Sequence, residues 1–499
     1  MSPLPTNRRR FLTAVATAAL APGFLSSRAE TTTDFVLQPE LNIIPAPTQP
    51  EQWAAYRASL SAWREATLRN LNYTGRLYDV PEFAWERSNF CCYFLMVCDE
   101  LFLDPIKHRF RVSSLLDHGR REFGGFDSVV LWHAYPRIGV DPRNQFDFYR
   151  DLPGGLPGVR RVVEAFQKRG VRVYIDYNPW DTGTRREPND DLEMLARMVR
   201  DLNADGIFLD TMEKGAAGFR AKLDSIKPGI VLEGEGVPPL ERMADHHASW
   251  AQHFQDSPAP GVLRHKWIER RHMQHQIWRW KFDHSAEIHT AWMNGSGVMV
   301  WENVFGAWVG WNARDRSLLR SMLPIQRRFV DLFCGDGWEP LVPTLRPGVY
   351  VSVWSDGVTR LWTIINRNET RYSGPLLDIT PSPADQVFDL IRGERCHGGV
   401  VELDVGPRGI GCVMAAPEKS LRSGFTAFLK DQAALHKREQ WDTQHPERVT
   451  RLVTHSYNSG SLPRLPAGMV RVDPPSKLKM LTRMRIRECG FYDSRTESE

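Results

Sequence analysis

Several short apolar runs in the middle of this 499-residue chain end in acidic, amide or aromatic side chains. Gly206-Ile-Phe-Leu closes on Asp210, and Ile230-Val-Leu leads into Glu233-Gly-Glu235. Val171–Tyr177 contains Asp176 and runs into Asn178-Pro179-Trp180, while Ser128–Trp132 continues into His133 and Arg137. Gly297–Trp301 opens onto Glu302-Asn303, and Gly261–Trp267 leads to Glu269-Arg270. A carboxyl group set in apolar surroundings is destabilising unless it is paired or used. Two such groups close together can divide the work of breaking an acetal. One, ionised, attacks or stabilises the cationic carbon, and the other, protonated, gives its proton to the leaving oxygen. Trp132, Trp180, Trp267 and Trp301 supply flat apolar walls of the kind that pack against pyranose faces.

Asp210 is the first candidate, as nucleophile; the alternative is an N-cap for the following helix. Glu233 and Glu235 stand two apart and so share a strand face. Four residues separate Gly206 from Asp210 and Gly229 from Glu233, so equal depth favours Glu233. Glu235 sits nearer the rim and is better solvated, and the two are not separable as the general acid. Glu302 is a third acid candidate. Each Glu alone is equally well a salt-bridged rim residue. His133, Arg137, Asp176, Asn178 and Arg270 are candidates to bind substrate hydroxyls or a carboxylate, and each arginine equally well serves in a salt bridge.

These residues need a scaffold that brings strand ends together. From about residue 90 the chain alternates apolar blocks with helical stretches of 10–15 residues. Candidate strands are Cys91–Cys98, Ser128–Trp132, Val171–Tyr177, Gly206–Asp210, Gly229–Glu233, Gly261–Trp267 and Gly297–Trp301. Short, nearly continuous apolar blocks fit parallel strands covered on both faces. Seven such units predict an α/β fold of the (β/α)8 type, a TIM-like barrel whose active site lies at the C-terminal strand ends. Neighbouring barrel strands lie about 4.8 Å apart, so carboxylates on adjacent strands meet either separation that glycoside cleavage requires. An eighth strand is expected around residues 320–340, although Arg316–Phe333 reads as helix. Beyond Gly335 the runs Val349–Trp354, Leu361–Asn366, Gln386–Leu390 and Gly411–Met414 alternate between Gly, Pro, Asp and Asn, predicting a small antiparallel all-β domain. The expected organisation is a signal at 1–29, an N-terminal extension at 30–89, the barrel at 90–335, a β-sandwich at 336–415, a helical linker at 416–460 and a short tail at 461–499.

Composition narrows the classes. Hydrophobic residues make up 42% and charged residues 25%, which is globular and not disordered. Arg8-Arg9-Arg10-Phe-Leu, a small-residue apolar run to Leu25 and Ser27-Arg28-Ala29 resemble a twin-arginine export signal. The expected location is therefore periplasmic or secreted, with the twin-arginine machinery as a partner and the mature chain starting near Glu30. That segment holds four of the 64 basic residues and no acid, leaving 60 basic against 60 acidic residues in the remainder. A neutral body argues against a nucleic-acid partner, and no apolar run is long enough to span a membrane. Seven Cys without CxxC spacing do not make a disulfide framework or a zinc site. His246, His247, His253, His265, His272, His275, His284 and His289 are dense but lack metal-ligand spacing, so no metal and no cofactor is expected.

Gly206-Ile-Phe-Leu-Asp210-Thr-Met resembles the fourth-strand nucleophile motif of retaining β/α-barrel glycosidases, the α-amylase and α-galactosidase families among them. Leu232-Glu233-Gly-Glu235 is similar to the fifth-strand acid motif of the amylase group. The resemblance spans about residues 90–415. It implies a carbohydrate substrate, Asp210 as nucleophile and Glu233 or Glu235 as acid/base. The amylase signature of the seventh strand is absent, and Trp301-Glu302-Asn303 stands in its place. Leu465-Pro-Ala-Gly-Met-Val-Arg-Val472 resembles the opening strand of formylglycine-generating (sulfatase-modifying factor) domains. About 35 residues cannot build such a core, so a truncated and poorly ordered start is expected. The reading is an exported glycoside hydrolase. The alternatives are a carbohydrate-binding barrel without turnover, or a metal-dependent carbohydrate deacetylase or lyase.

Overall fold

The computed structural model describes residues 35–104, 106–133, 143–179 and 185–448, with two short strand fragments at 485–486 and 492–493. Eight parallel strands close into a barrel. They are β1 (Cys91–Met96), β2 (Ser128–Trp132), β3 (Arg172–Tyr177), β4 (Gly206–Leu209), β5 (Val231–Gly234), β6 (His247–Gln252), β7 (Met273–Ile277) and β8 (Gly297–Val300). Each pairs with the next in sequence order and β8 returns to β1, through Val298 and Cys91. Helices α1 (Val112–Phe123), α2 (Gly155–Gln167), α3 (Asp191–Leu202), α4 (Phe219–Ile226), α5 (Met243–His246), α6 (Arg264–Ile268), α7 (Ser285–Asn294) and α8 (Ala313–Arg328) lie between or after the strands. The expected (β/α)8 architecture is therefore present.

The strand assignment differs in two places. The sixth and seventh strands are His247–Gln252 and Met273–Ile277, and the eighth is Gly297–Val300. Gly261–Trp267 is not a barrel strand. Val262–Leu263 pairs instead with Ile43–Ile44, and α6 follows directly. The stretch around 320–340 holds the end of α8 and the first strand of the next domain. The physical reason is that β6 and β7 carry polar residues on both faces, His275 toward the lumen and Ser249, Gln274 and Gln276 on the opposite face. β6 and β7 carry Ser249, Gln274, His275 and Gln276, all buried, so these strands do not read as apolar blocks. Their polar groups are satisfied locally: Gln274 Nε2 donates to Ser249 Oγ at 3.3 Å, and Ser249 meets His272 Nε2 at 3.0 Å.

In the lumen, above the buried His275–Glu233 pair, the interior is aromatic. The Phe94 ring centroid lies 5.1 Å from those of Trp132, Phe208 and Trp250, and 4.6 Å from Trp301. Gly206 makes room below. A Cβ there would fall 2.3 Å from the Tyr174 ring, so only glycine lets that ring occupy the lumen beside β4.

After the barrel come β9 (Trp338–Val342), β10 (Val349–Ser355), β11 (Arg360–Asn366), β12 (Tyr372–Ile379), β13 (Asp385–Asp389), β14 (Glu394–Cys396), β15 (Gly399–Val405) and β16 (Ile410–Pro417). A six-stranded sheet runs β9-β10-β11-β16-β13-β14, and β12 pairs with β15. Val351, Ile364, Leu377, Val401, Leu403 and Val413 fill the space between the two layers. The sheet's other side meets the barrel, where Trp292 of α7 donates its indole N–H to Gly411 O at 3.1 Å. A helix, Phe425–His436, then packs back on α8, with Gln432 Nε2 donating to Ser321 O at 3.1 Å. The export signal read in residues 1–29 lies outside the described residues. So does the 461–499 tail, apart from a short antiparallel pair formed by Arg485–Ile486 and Tyr492–Asp493.

Candidate active site

β4 and β5 pair in a register that sets Gly206 against Val231 and Leu209 against Gly234. The next residues on the two chains are Asp210 and Glu235. The depth count that favoured Glu233 fails because β5 begins at Val231 and not at Gly229. Asp210 and Glu235 are in hydrogen-bonding contact at the C-terminal ends of the two strands. Burial pushes the Asp210 carboxyl well above the ordinary carboxylate range, and the charge of Glu235 adds to the effect. Trp132 opposes it by donating its indole N–H to Asp210 Oδ2 at 3.3 Å.

Glu235 is surrounded by donors. The Thr211 N–H donates to Oε2 at 2.7 Å, Gln252 Nε2 donates to Oε1 at 2.8 Å, and Arg279 Nη2 lies 3.5 Å from Oε1. Thr211 has φ +60°, a strained conformation for a β-branched residue, and this turns its N–H onto Glu235. Asp210 is 8% exposed, whereas Thr211 is open to solvent and Glu235 half-buried, so the pair reaches the surface from the Glu235 side. Trp132, Trp301 and Phe305 form a wall beside the dyad. Their ring centroids lie 5.0–5.4 Å apart, and the Arg279 guanidinium sits 5.9 Å from the Trp301 ring.

The other sequence candidates lie elsewhere. Glu233 points into the lower lumen, fully buried, with Oε1 2.5 Å from His275 Nδ1. Glu302 faces α1, where His118 Nε2 donates to its Oε2 at 2.6 Å and the Tyr93 hydroxyl stands 3.5 Å away. Each is held in an ion pair of its own, Glu233 with His275 and Glu302 with His118. Trp267 and Arg270 belong to the segment that precedes β7, at the N-terminal end of the barrel. Trp267 donates to Leu60 O at 2.9 Å, and the Arg270 guanidinium stacks 3.9 Å above its ring. They are corrected from the mouth because Gly261–Trp267 is not a barrel strand.

His133 and Asp176, both buried, meet at 3.0 Å on the β2 and β3 ends; burial pushes the His133 imidazole down to about 3, so the ring is neutral. Asn178 is held through its backbone, its N–H donating to Gln145 Oε1 at 2.8 Å. Arg137 and Trp180 lie outside the described residues. Gln252, Arg279, Trp250 and Phe305 were not anticipated. Gln252 ends β6, the strand whose polar composition hid it. A search for alternation in place of apolar blocks would have exposed it in His-Ala-Ser-Trp-Ala-Gln.

A pair this close can share a proton, attack with one oxygen and donate from another. The contact also lies far inside the separation of about 10 Å beyond which two carboxyl groups no longer cooperate on one acetal. Among the described residues, no three His, Cys, Asp or Glu side chains are grouped as a metal ion would need.

No family model matches the chain, and no curated protein does. Solved structures with a related fold include an α-amylase from Anoxybacillus, at 14% identity over 67% of this chain and 99% of its own, with a TM-score of 0.46. AmyP in complex with maltose gives 12% identity over 68% and 99% of the two chains, with a TM-score of 0.47. A putative α-galactosidase from Bacteroides fragilis gives 11% over 66% and 78%, with a TM-score of 0.45. At these values the likeness says nothing about substrate or residue roles.

Proposed function

We propose that the chain is a retaining glycoside hydrolase acting on a polysaccharide or glycoconjugate, with Asp210 and Glu235 as its two carboxyl groups. One observation carries this reading: the two acids stand side by side at adjacent strand ends, one edge open to solvent, against a wall of tryptophan. The contact is far shorter than the about 6.5–9.5 Å of an inverting pair and nearer the about 5 Å of a retaining pair, a separation the two side chains reach by parting as the sugar enters between them.

Asp210, the deeper acid, acts as nucleophile. Its oxygen bonds to the anomeric carbon as the glycosidic C–O bond breaks, forming a glycosyl ester. Glu235, nearer the rim, gives its proton to the departing oxygen, then takes one from the water that hydrolyses the ester. The chemistry needs one proton on the pair. The contact between the two carboxyl groups lets them share it, and Glu235 must carry it when the glycosidic oxygen departs. Activity should therefore follow a bell-shaped pH profile whose limbs belong to the pair and not to either residue.

A panel of aryl glycosides and polysaccharides tests the reading. Glu235→Gln should lose about 10²–10⁴-fold on an unactivated glycoside and be largely spared on an aryl glycoside with a good leaving group, which needs no proton. Equal loss on both substrates would remove Glu235 as the acid. We also infer export through the twin-arginine route, which the Arg8-Arg9-Arg10 segment supports. N-terminal sequencing of protein from a periplasmic fraction should begin near Glu30, and replacing the three arginines by lysine should block that processing.

A further inference from the structure

A groove of about 680 Å³ lies on the outer wall of the barrel between α1 and α2. Arg109, Arg111, Arg161 and Arg169 line it, with His108 and Ser113, and no carboxylate among the described residues does. Arg111 is neutralised by Asp104 at 2.7 Å. Among the described residues, Arg169 donates only to neutral oxygens, Ser113 Oγ at 2.9 Å and Ala165 O at 3.2 Å. Arg109 and Arg161 have no acidic partner among the described residues, and both are exposed.

Arg161 adds an unfavourable placement. A Cβ on Gly154 would lie 3.2 Å from its Nη2, so the guanidinium folds back over the first turn of its own helix. That is the positive end of the helix dipole, where cations are disfavoured and anions favoured. The first turns of α1 and α2 both border the groove, and neither has a side-chain cap or an acidic residue. Elsewhere Asn144, Asp190 and Asn312 cap helices whose first turns do carry acids. Three guanidinia without an acid, beside two open helix ends, make a local positive field on a chain body whose charges otherwise balance.

We propose that this groove binds the sulfate or carboxylate groups of an acidic polysaccharide, as an accessory site that holds the chain on the barrel whose dyad cleaves it. The proposal rests on the hydrolase reading for its choice of a glycan. Guanidinium forks match either anion by paired N–H···O bonds. A nucleic acid is disfavoured because acidic and basic residues balance over the rest of the chain body, 60 against 60.

Titration calorimetry on the full chain would use a short sulfated oligosaccharide, an oligouronate and a neutral gluco-oligosaccharide of equal length, with a single-stranded oligonucleotide as the competing polyanion. The sulfated chain, the uronate or both should bind, with affinity falling as salt rises; which of them binds tighter identifies the anion. Arg109→Ala/Arg161→Ala should weaken binding by about tenfold or more. The Tm and the turnover of a small neutral aryl glycoside should stay unchanged. Binding indifferent to the double substitution, equal binding of the neutral sugar, tighter binding of the oligonucleotide, or no binding at low ionic strength would overturn the proposal. Because the readout is binding, an inactive protein that still holds the acidic chain removes only the hydrolase reading. An active one that does not hold it removes only the groove.

Discussion

Asp210→Asn is expected to lower turnover by at least about 10³-fold and, at neutral pH, to raise the melting temperature. The first effect follows from losing the oxygen that attacks the sugar carbon. The second follows from the burial that lifts the Asp210 carboxyl, reinforced by Glu235. In the unfolded chain this group ionises near the ordinary aspartate value of about 3.9. In the folded chain it holds its proton to higher pH, so the native state binds more protons than the unfolded state across that interval. Stability therefore falls as pH rises from about 3.9 through the raised native value. Asparagine cannot ionise, and its Nδ2 can donate to Glu235 in place of the shared proton. The gain should be absent near pH 3 and grow on going to neutrality, by roughly 1 kcal/mol or 2–4 °C in a domain of this size. Calorimetric scans of both proteins across pH check it. An inactive variant that is less stable at pH 7 would mean that Asp210 is a structural acid. Near wild-type turnover would remove it as nucleophile.

The barrel was legible because most of its strands announce themselves. Val-Val-Leu-Trp, Ile-Phe-Leu-Asp and Val-Met-Val-Trp are short apolar blocks closed by the residues that reach the mouth. The strands that failed are those whose inward residues serve a polar cluster. Met-Gln-His-Gln-Ile has a single inward apolar side at each end and His275 between them, so no apolar block appears. Asp210 was found from its own strand, since a lone acid closing an apolar run is a local signal. The choice between Glu233 and Glu235 was not local. It depends on register, which is set by where β5 begins relative to β4, and Gly229 was a poor marker of that start. Trp267 was misassigned for a related reason. An apolar segment that pairs with Ile43–Ile44 beneath the barrel looks the same in sequence as one inside it.

Glu233 can be separated from catalysis by what its removal does to the fold. His275 and Glu233 are both fully buried, and His275 Nε2 donates onward to Asn89 O at 2.8 Å, so both ring nitrogens act as donors. Burial alone would push the imidazole down, but the charge and hydrogen bond of Glu233 outweigh it and hold the ring at about 9. Glu86 is pushed up to about 8 by burial, with the charge of Glu233 adding to it, against the charge of His275 and the hydrogen bonds from Tyr174 and Asn89. Both groups thus hold protons that the unfolded chain releases near pH 6.5 and 4.3 respectively. The His275 contribution is complete below about pH 6.5 and lost through about 9. The Glu86 contribution fades between about 4.3 and 8. Stability should decline steadily on the alkaline side. His275→Gln leaves Glu233 buried without a counter-charge and should destabilise by about 3–5 kcal/mol. Glu233→Gln should cost less, because burial then keeps His275 neutral, and it should flatten the decline between pH 6.5 and 9. Urea unfolding across that range measures both. The folded fraction of Glu233→Gln should retain its kcat, since the residue lies below the aromatic layer and away from the dyad. Loss of kcat with unchanged stability would make Glu233 the acid and return Glu235 to the rim.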